Sequence, residues 1–206
     1  MPATRAVGGR LDRWFEVTSV VPLSAFALLH VASYGRVLFG AGELGARESP
    51  SLAARGAEAL LIWAPFLLHM ALAPGVYGRR KQVGTLDTSE QALLTLHRLA
   101  GPLLGVFLVD HFLRFRLPIL RGERYPAEAV GALAAELSRV TAGLPLVAGL
   151  HALGTLALAF HLSFGLFRVA TRSRFVSRNT ARWVCAGLGL LTAAVGTLTI
   201  VVLATG

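Results

Sequence analysis

Six histidines, His30, His69, His97, His111, His151 and His161, lie in or at the edges of apolar runs of a 206-residue chain. Imidazole is the commonest metal ligand and a proton carrier near neutral pH. Placed in hydrocarbon it is unfavourable unless it finds a partner, and a single one ordinarily makes an interhelical hydrogen bond. Several on separate apolar segments raise a sharper question, because their depths can be compared. Other polar groups stand close by in sequence: Arg98 beside His97, Asp110 directly before His111, Arg114 one turn later, and Glu58 at the head of the second run.

The elements that carry these residues are membrane helices. Hydrophobic residues make up 54% of the chain and charged residues 15%, a balance foreign to a soluble domain. The formal net charge of +9 does not indicate nucleic acid, because the cations gather where apolar runs stop and no basic patch is interleaved with aromatics. Five segments are long enough to cross about 30 Å of hydrocarbon at roughly 1.5 Å per residue, with limits near 14–39, 59–78, 95–117, 144–168 and 183–204. The expectation is therefore an all-α integral membrane bundle forming one domain over residues 1–206. The basic start, MPATRAVGGRLDRW, resembles the head of a signal peptide, but the apolar run after it is too long and reads as the first span. Residues 40–58 read as a polar loop. Within 118–143, YPAEAVGALAAELSRV reads as a short surface helix.

With the N-terminus cytoplasmic, 12 cations fall on the inner side and 8 on the outer. The positive-inside rule thus places the N-terminus in the cytoplasm and the C-terminus outside, in the cytoplasmic (inner) membrane of a cell.

Depth then pairs the histidines. His30 is about 16 residues from the inner end of its span and His111 about 16 from the inner end of the third, each roughly 24 Å deep. His69 and His161 lie roughly 13 Å and 10 Å from the inner ends of the second and fourth spans. Two levels result, each with two imidazoles. Two axial imidazoles in an apolar bundle suit a haem iron, whereas a zinc site takes three or four ligands. Gly154, Ala157, His161 and Gly165 share one helix face, which suits either a porphyrin edge or close helix packing. Pro65 and Pro74 bracket His69 and can curve its helix. His97 at the inner edge reads either as a donor, with Arg98, to haem propionates or as an interfacial ring in water. His151 lies near the outer level and rivals His30 and His111. The one cysteine, Cys185, cannot form a disulfide within the chain, and the covalent haem signal C-x-x-C-H is absent.

Four stretches in order, FALLHVASYGRVLFG, APFLLHMALAPGVYGRRK, LHRLAGPLLGVFLVDHFLRFR and LAFHLSFGLFRVATR, resemble the five-helix, two-haem cytochrome b membrane anchor of succinate:quinone oxidoreductases and fumarate reductases. His97-Arg98-x-x-Gly101 and His161-x-x-x-Gly165 are the more telling parts. The resemblance implies two b haems, with His30 and His111 axial to the outer one and His69 and His161 axial to the inner one. It implies flavoprotein and iron–sulfur subunits on the cytoplasmic face, and a quinone, with menaquinone favoured, as electron partner. By their own polarity and position, Asp110, Arg114 and Glu58 are the outer candidates for handling quinone protons, with plainer readings as, in turn, a polar helix contact, a snorkelling cation and a loop–helix cap. The resemblance departs at Phe15, Glu16 and Ser19 in the first span and at Ala159 and Phe160 before His161. The alternatives are a cytochrome b anchor of a hydrogenase or formate dehydrogenase, and a haem-free transporter whose histidines bind substrate or protons.

Overall fold

A computed structural model of the chain describes residues 21–39, 51–79, 88–173 and 176–205. These are helical almost throughout. Among them there is no strand, only an isolated bridge from Thr141 to Leu144 in a turn. Helix α1 is Val21–Gly35, continued by a 3-10 turn over Arg36–Phe39. Helix α2 joins Leu52–Glu58, a wide π turn at Ala59–Trp63, and Ala64–Arg79. Helix α3 joins Thr88–His111, a second π turn at Phe112–Arg116, and Leu117–Leu120. A short α4, Ala129–Leu137, precedes the two long helices α5, Leu146–Ser173, and α6, Arg178–Thr205.

Four helical stretches are long and apolar enough to cross a membrane: Leu52–Gly75, Gln91–Leu120, Leu146–Thr171 and Arg178–Thr205. The chain is therefore a multi-pass membrane protein by length and composition. The first expected span, 14–39, is described only from residue 21, and its apolar stretch Leu23–Gly35 is shorter than a full crossing. Residues 14–20 lie outside the described residues. The second helix starts earlier than the polar loop expected at 40–58 allows. Ser51 caps it by accepting the Ala54 N–H at 3.2 Å, and LAARGAE is made mostly of good helix formers.

Each π turn precedes a proline. Pro65 and Pro118 lack an N–H and deprive the carbonyls of Leu61 and Arg114 of their usual helical donor. The Arg114 carbonyl instead accepts from Arg124 Nη1 at 3.4 Å. Helix α3 ends in a Schellman turn: Gly122 takes φ +76°, its N–H bonds Ile119 O at 3.1 Å, and Glu123 N–H bonds Pro118 O at 2.9 Å. Leu120 O accepts from Arg55 Nη1 at 3.2 Å, tying the start of α2 to the end of α3.

Small residues set the packing. On α6 the buried positions Ala181, Cys185, Gly189, Thr192, Thr199 and Leu203 recur at helical spacing. A Cβ at Gly189 would stand 2.9 Å from Ser163 of α5, and one at Gly196 would stand 2.4 Å from Thr155, so α5 and α6 approach closely. A Cβ at Gly35 would meet Val195 at 2.6 Å, which seats α1 on α6. Helix α3 joins α5 through Ala100, Leu104, Phe107 and Ala157. Helix α4 closes one end of the bundle by packing Val130, Leu133 and Leu137 on Phe115 and Leu203. Helix α2 is different: none of its apolar stretch is buried inside the fold.

Candidate functional site

A cavity of about 830 Å³ is lined by α2, by the helices α1, α3, α5 and α6, and by α4. Its volume is toward the upper end of the roughly 300–1,000 Å³ of sites that bury a drug-sized ligand. The wall is mainly apolar, and all six histidines line it. Arg98 and Arg168 stand at one end, with Glu58 and Arg116 at the other.

The histidines form two groups. The rings of His30 on α1 and His111 on α3 have centroids 5.8 Å apart, and those of His69 on α2 and His161 on α5 are 6.1 Å apart. A metal–imidazole nitrogen bond is about 2 Å, and the ring adds about 1 Å to its centroid, so two imidazoles on opposite sides of one metal hold their centroids about 6 Å apart. Both pairs have that spacing; His111 and His151 also lie 5.6 Å apart between centroids, but their facing nitrogens, at 3.4 Å, are closer than the about 4 Å that two metal–nitrogen bonds span. Among the described residues, no three or more His, Cys, Asp or Glu side chains converge as a metal cluster. The donor set thus fits two bis-imidazole positions in an apolar cavity, the setting a b-type haem requires. The two levels are separated along α5: His151 touches the first group, and His161, ten residues on and roughly 15 Å away by helix rise, belongs to the second.

Aromatic residues bracket the first pair one turn to either side. His30 lies between Phe26 and Tyr34, at 5.3 and 4.8 Å, and His111 between Phe107 and Phe115, at 5.6 and 5.0 Å. The repeated spacing aromatic-x-x-x-His-x-x-x-aromatic was present in the sequence and would have marked these two histidines as a set. The second pair is held by close backbone approach. A Cβ at Gly101 would come within 3.3 Å of the His161 ring, so α3 can carry no side chain there without moving it.

His97 and His151 are the most buried histidines, at 5% and 4% exposure. His97 stacks flat on His161, with centroids 4.1 Å apart and planes 13° from parallel. It is therefore no interfacial ring in water. His151 stands edge to edge with His111, its Nε2 3.4 Å from His111 Nδ1, while its own Nδ1 is 2.9 Å from Val147 O.

The face of Gly154, Ala157, His161 and Gly165 divides its work. His161 and Gly165 line the cavity. Gly154 and Ala157 instead pack against α3, where the Phe107 ring fills the space a Cβ on Gly154 would need.

The acidic and basic candidates also separate. Glu58 lies in the cavity wall, where its carboxylate pairs with Arg116 and accepts the Trp63 indole N–H at 3.0 Å. It is neither loop nor cap, because α2 begins six residues before it. The Arg114 Nε–H is shared between the two Asp110 carboxylate oxygens at 2.9 and 2.8 Å, and Arg114 Nη1 donates to Glu136 of α4 at 3.3 Å. That network is partly exposed and outside the cavity wall. Arg116 and Arg168 are wall residues that sequence reasoning left off the site. Arg116 shares FLRFR with Arg114, and only rotation about the helix axis singles it out.

The chain matches no protein-family model, and no curated protein or solved structure matches it.

Proposed function

We propose that this chain is the haem-bearing membrane anchor of a succinate:quinone oxidoreductase. One observation carries the reading. Four helices each supply one histidine to two imidazole pairs, spaced 5.8 and 6.1 Å between centroids, along one apolar cavity. In this reading the chain crosses the membrane five times, with the N-terminus in the cytoplasm and the complex in the cytoplasmic membrane.

When bound, two b haems supply the one-electron chemistry that links an iron–sulfur subunit to a membrane quinone. The chain's own residues do the rest. His30 and His111 hold one haem, and His69 and His161 the other. Arg98 and Arg168 offer cations to propionates at their end of the cavity, and His97 packs His161 in place. The apolar wall excludes water. Glu58, set by Arg116 and Trp63, is the carboxylate placed to meet a quinone head group at the other end. Asp110 and Arg114 lie outside the cavity wall, which favours Glu58 over them for that role. No succinate chemistry resides on this chain. The flavoprotein and iron–sulfur partners dock on the cytoplasmic face, and menaquinone is the favoured quinone.

A reduced-minus-oxidised visible spectrum with haem extraction tests the proposal. Two acid–acetone-extractable b haems per chain are expected, because no cysteine motif tethers them. A haem-free chain, or a single haem, overturns it. Co-purified soluble subunits distinguish succinate oxidation from a hydrogenase or formate dehydrogenase anchor.

A further inference from the structure

His151 belongs to neither imidazole pair, yet it is buried and its two ring nitrogens have different partners. Nδ1 faces the Val147 carbonyl oxygen at 2.9 Å. A carbonyl only accepts, so Nδ1 carries the hydrogen. A neutral imidazole with N–H at Nδ1 has its lone pair at Nε2. That Nε2 stands 3.4 Å from His111 Nδ1, the long end of a hydrogen bond. A hydrogen bond there requires the proton on His111 Nδ1. His111 then keeps its lone pair on Nε2. One backbone carbonyl thus sets two tautomers in succession.

We infer that His151 is a positioning residue for His111: it accepts the His111 Nδ1–H, fixes the ring's rotation, and leaves Nε2 as the ligating nitrogen. The inference rests on the haem reading above. Histidines that ligate metals characteristically donate their second ring N–H to an acceptor, which orients the ring and makes it more basic. Here the acceptor is another imidazole. Phe107 and Phe115 hold both rings, with centroids 5.3 and 5.8 Å from that of His151. In the second group His97 meets His161 by flat stacking instead.

The test compares the full complex carrying His151→Leu or His151→Gln with the parent, in membranes, by redox titration and low-temperature EPR. Losing the acceptor makes His111 less basic and stabilises the ferric haem less, so His151→Leu should raise the midpoint potential of the His30–His111 haem alone. It should also shift that haem's low-spin signal and loosen the haem about ten- to a hundredfold toward a haem-scavenging apoglobin. The glutamine amide oxygen accepts the same N–H, so His151→Gln should return all three readings toward the parent. The other haem serves as the internal check on folding. If His151→Leu loses both haems, the His151→Gln potential decides: a value at the parent's supports the relay, and a displaced one overturns it. A two-haem parent whose His151→Leu variant is unchanged overturns this inference alone. Loss of the low-spin signal in both variants makes His151 a ligand and also overturns it. A haem-free parent overturns the haem reading and this inference with it.

Discussion

The ring of Phe107 occupies the space that a side chain on Gly154 would need: a Cβ there would lie 2.3 Å from Phe107 Cγ. Phe107 in turn touches both His111 and His151. Helix contact and histidine placement are thus coupled through one ring. Gly154→Ala should push Phe107 aside and destabilise the bundle by about 1–3 kcal/mol, the usual result of overpacking a filled core. Thermal unfolding in detergent measures it. The His30–His111 haem signal should shift, and the other should hold. An unchanged melting temperature would show that Phe107 finds another rotamer at no cost.

Ligand pairs are separable by single substitutions. His69→Ala and His161→Ala should each remove or convert to high spin the same low-spin haem. His30→Ala and His111→Ala should do so to the other. His97→Ala should keep both haems six-coordinate, disturbing only the haem of the ring it stacks on. Low-temperature EPR follows the two signals independently. If His69→Ala and His111→Ala abolish one and the same signal, the pairing is wrong.

The pair of Glu58 with Arg116 links α2 to α3, and both side chains are mostly buried, at 17% and 25% exposure. A double-mutant cycle with Glu58→Gln and Arg116→Leu should give a coupling of about 1–3 kcal/mol in thermal unfolding, the upper part of the range for residues in one network. The same cycle on Asp110 and Arg114 should give under about 1 kcal/mol, since that pair is more exposed, at 26% and 39%. Glu58→Gln should also slow quinone reduction more than Asp110→Asn does. Equal effects in the quinone assay would remove the reason for preferring Glu58.

Orientation is checked by labelling. A cysteine introduced between residues 84 and 90 should react only from the cytoplasm, and one between 121 and 126 only from outside. The reverse pattern would place the soluble partners on the other face.

Much of the architecture was readable along the chain because it is local. Hydropathy marked the four long spans, and α4 appeared inside the segment YPAEAVGALAAELSRV where a surface helix was expected. A helix rises by a fixed amount per residue, so counting gave each histidine an axial level and grouped His30 with His111 and His69 with His161. The same groups are neighbours in space. Counting gives no rotation about a helix axis and no order of neighbours around the bundle, and those decided the rest. Rotation put Arg116 in the cavity wall and Arg114, two residues earlier, on the outer network with Asp110. Neighbour order set α5 against α3, which brought His151 to the edge of His111, laid His97 on the face of His161, and spent Gly154 on Phe107. Wide turns precede Pro65 and Pro118, whereas Pro74 and Pro102 sit within α-helix, so proline alone does not tell where a helix is rotated. Depth is a property of one helix and its sequence; facing is a property of several helices packed at once, and only the tertiary structure carries it.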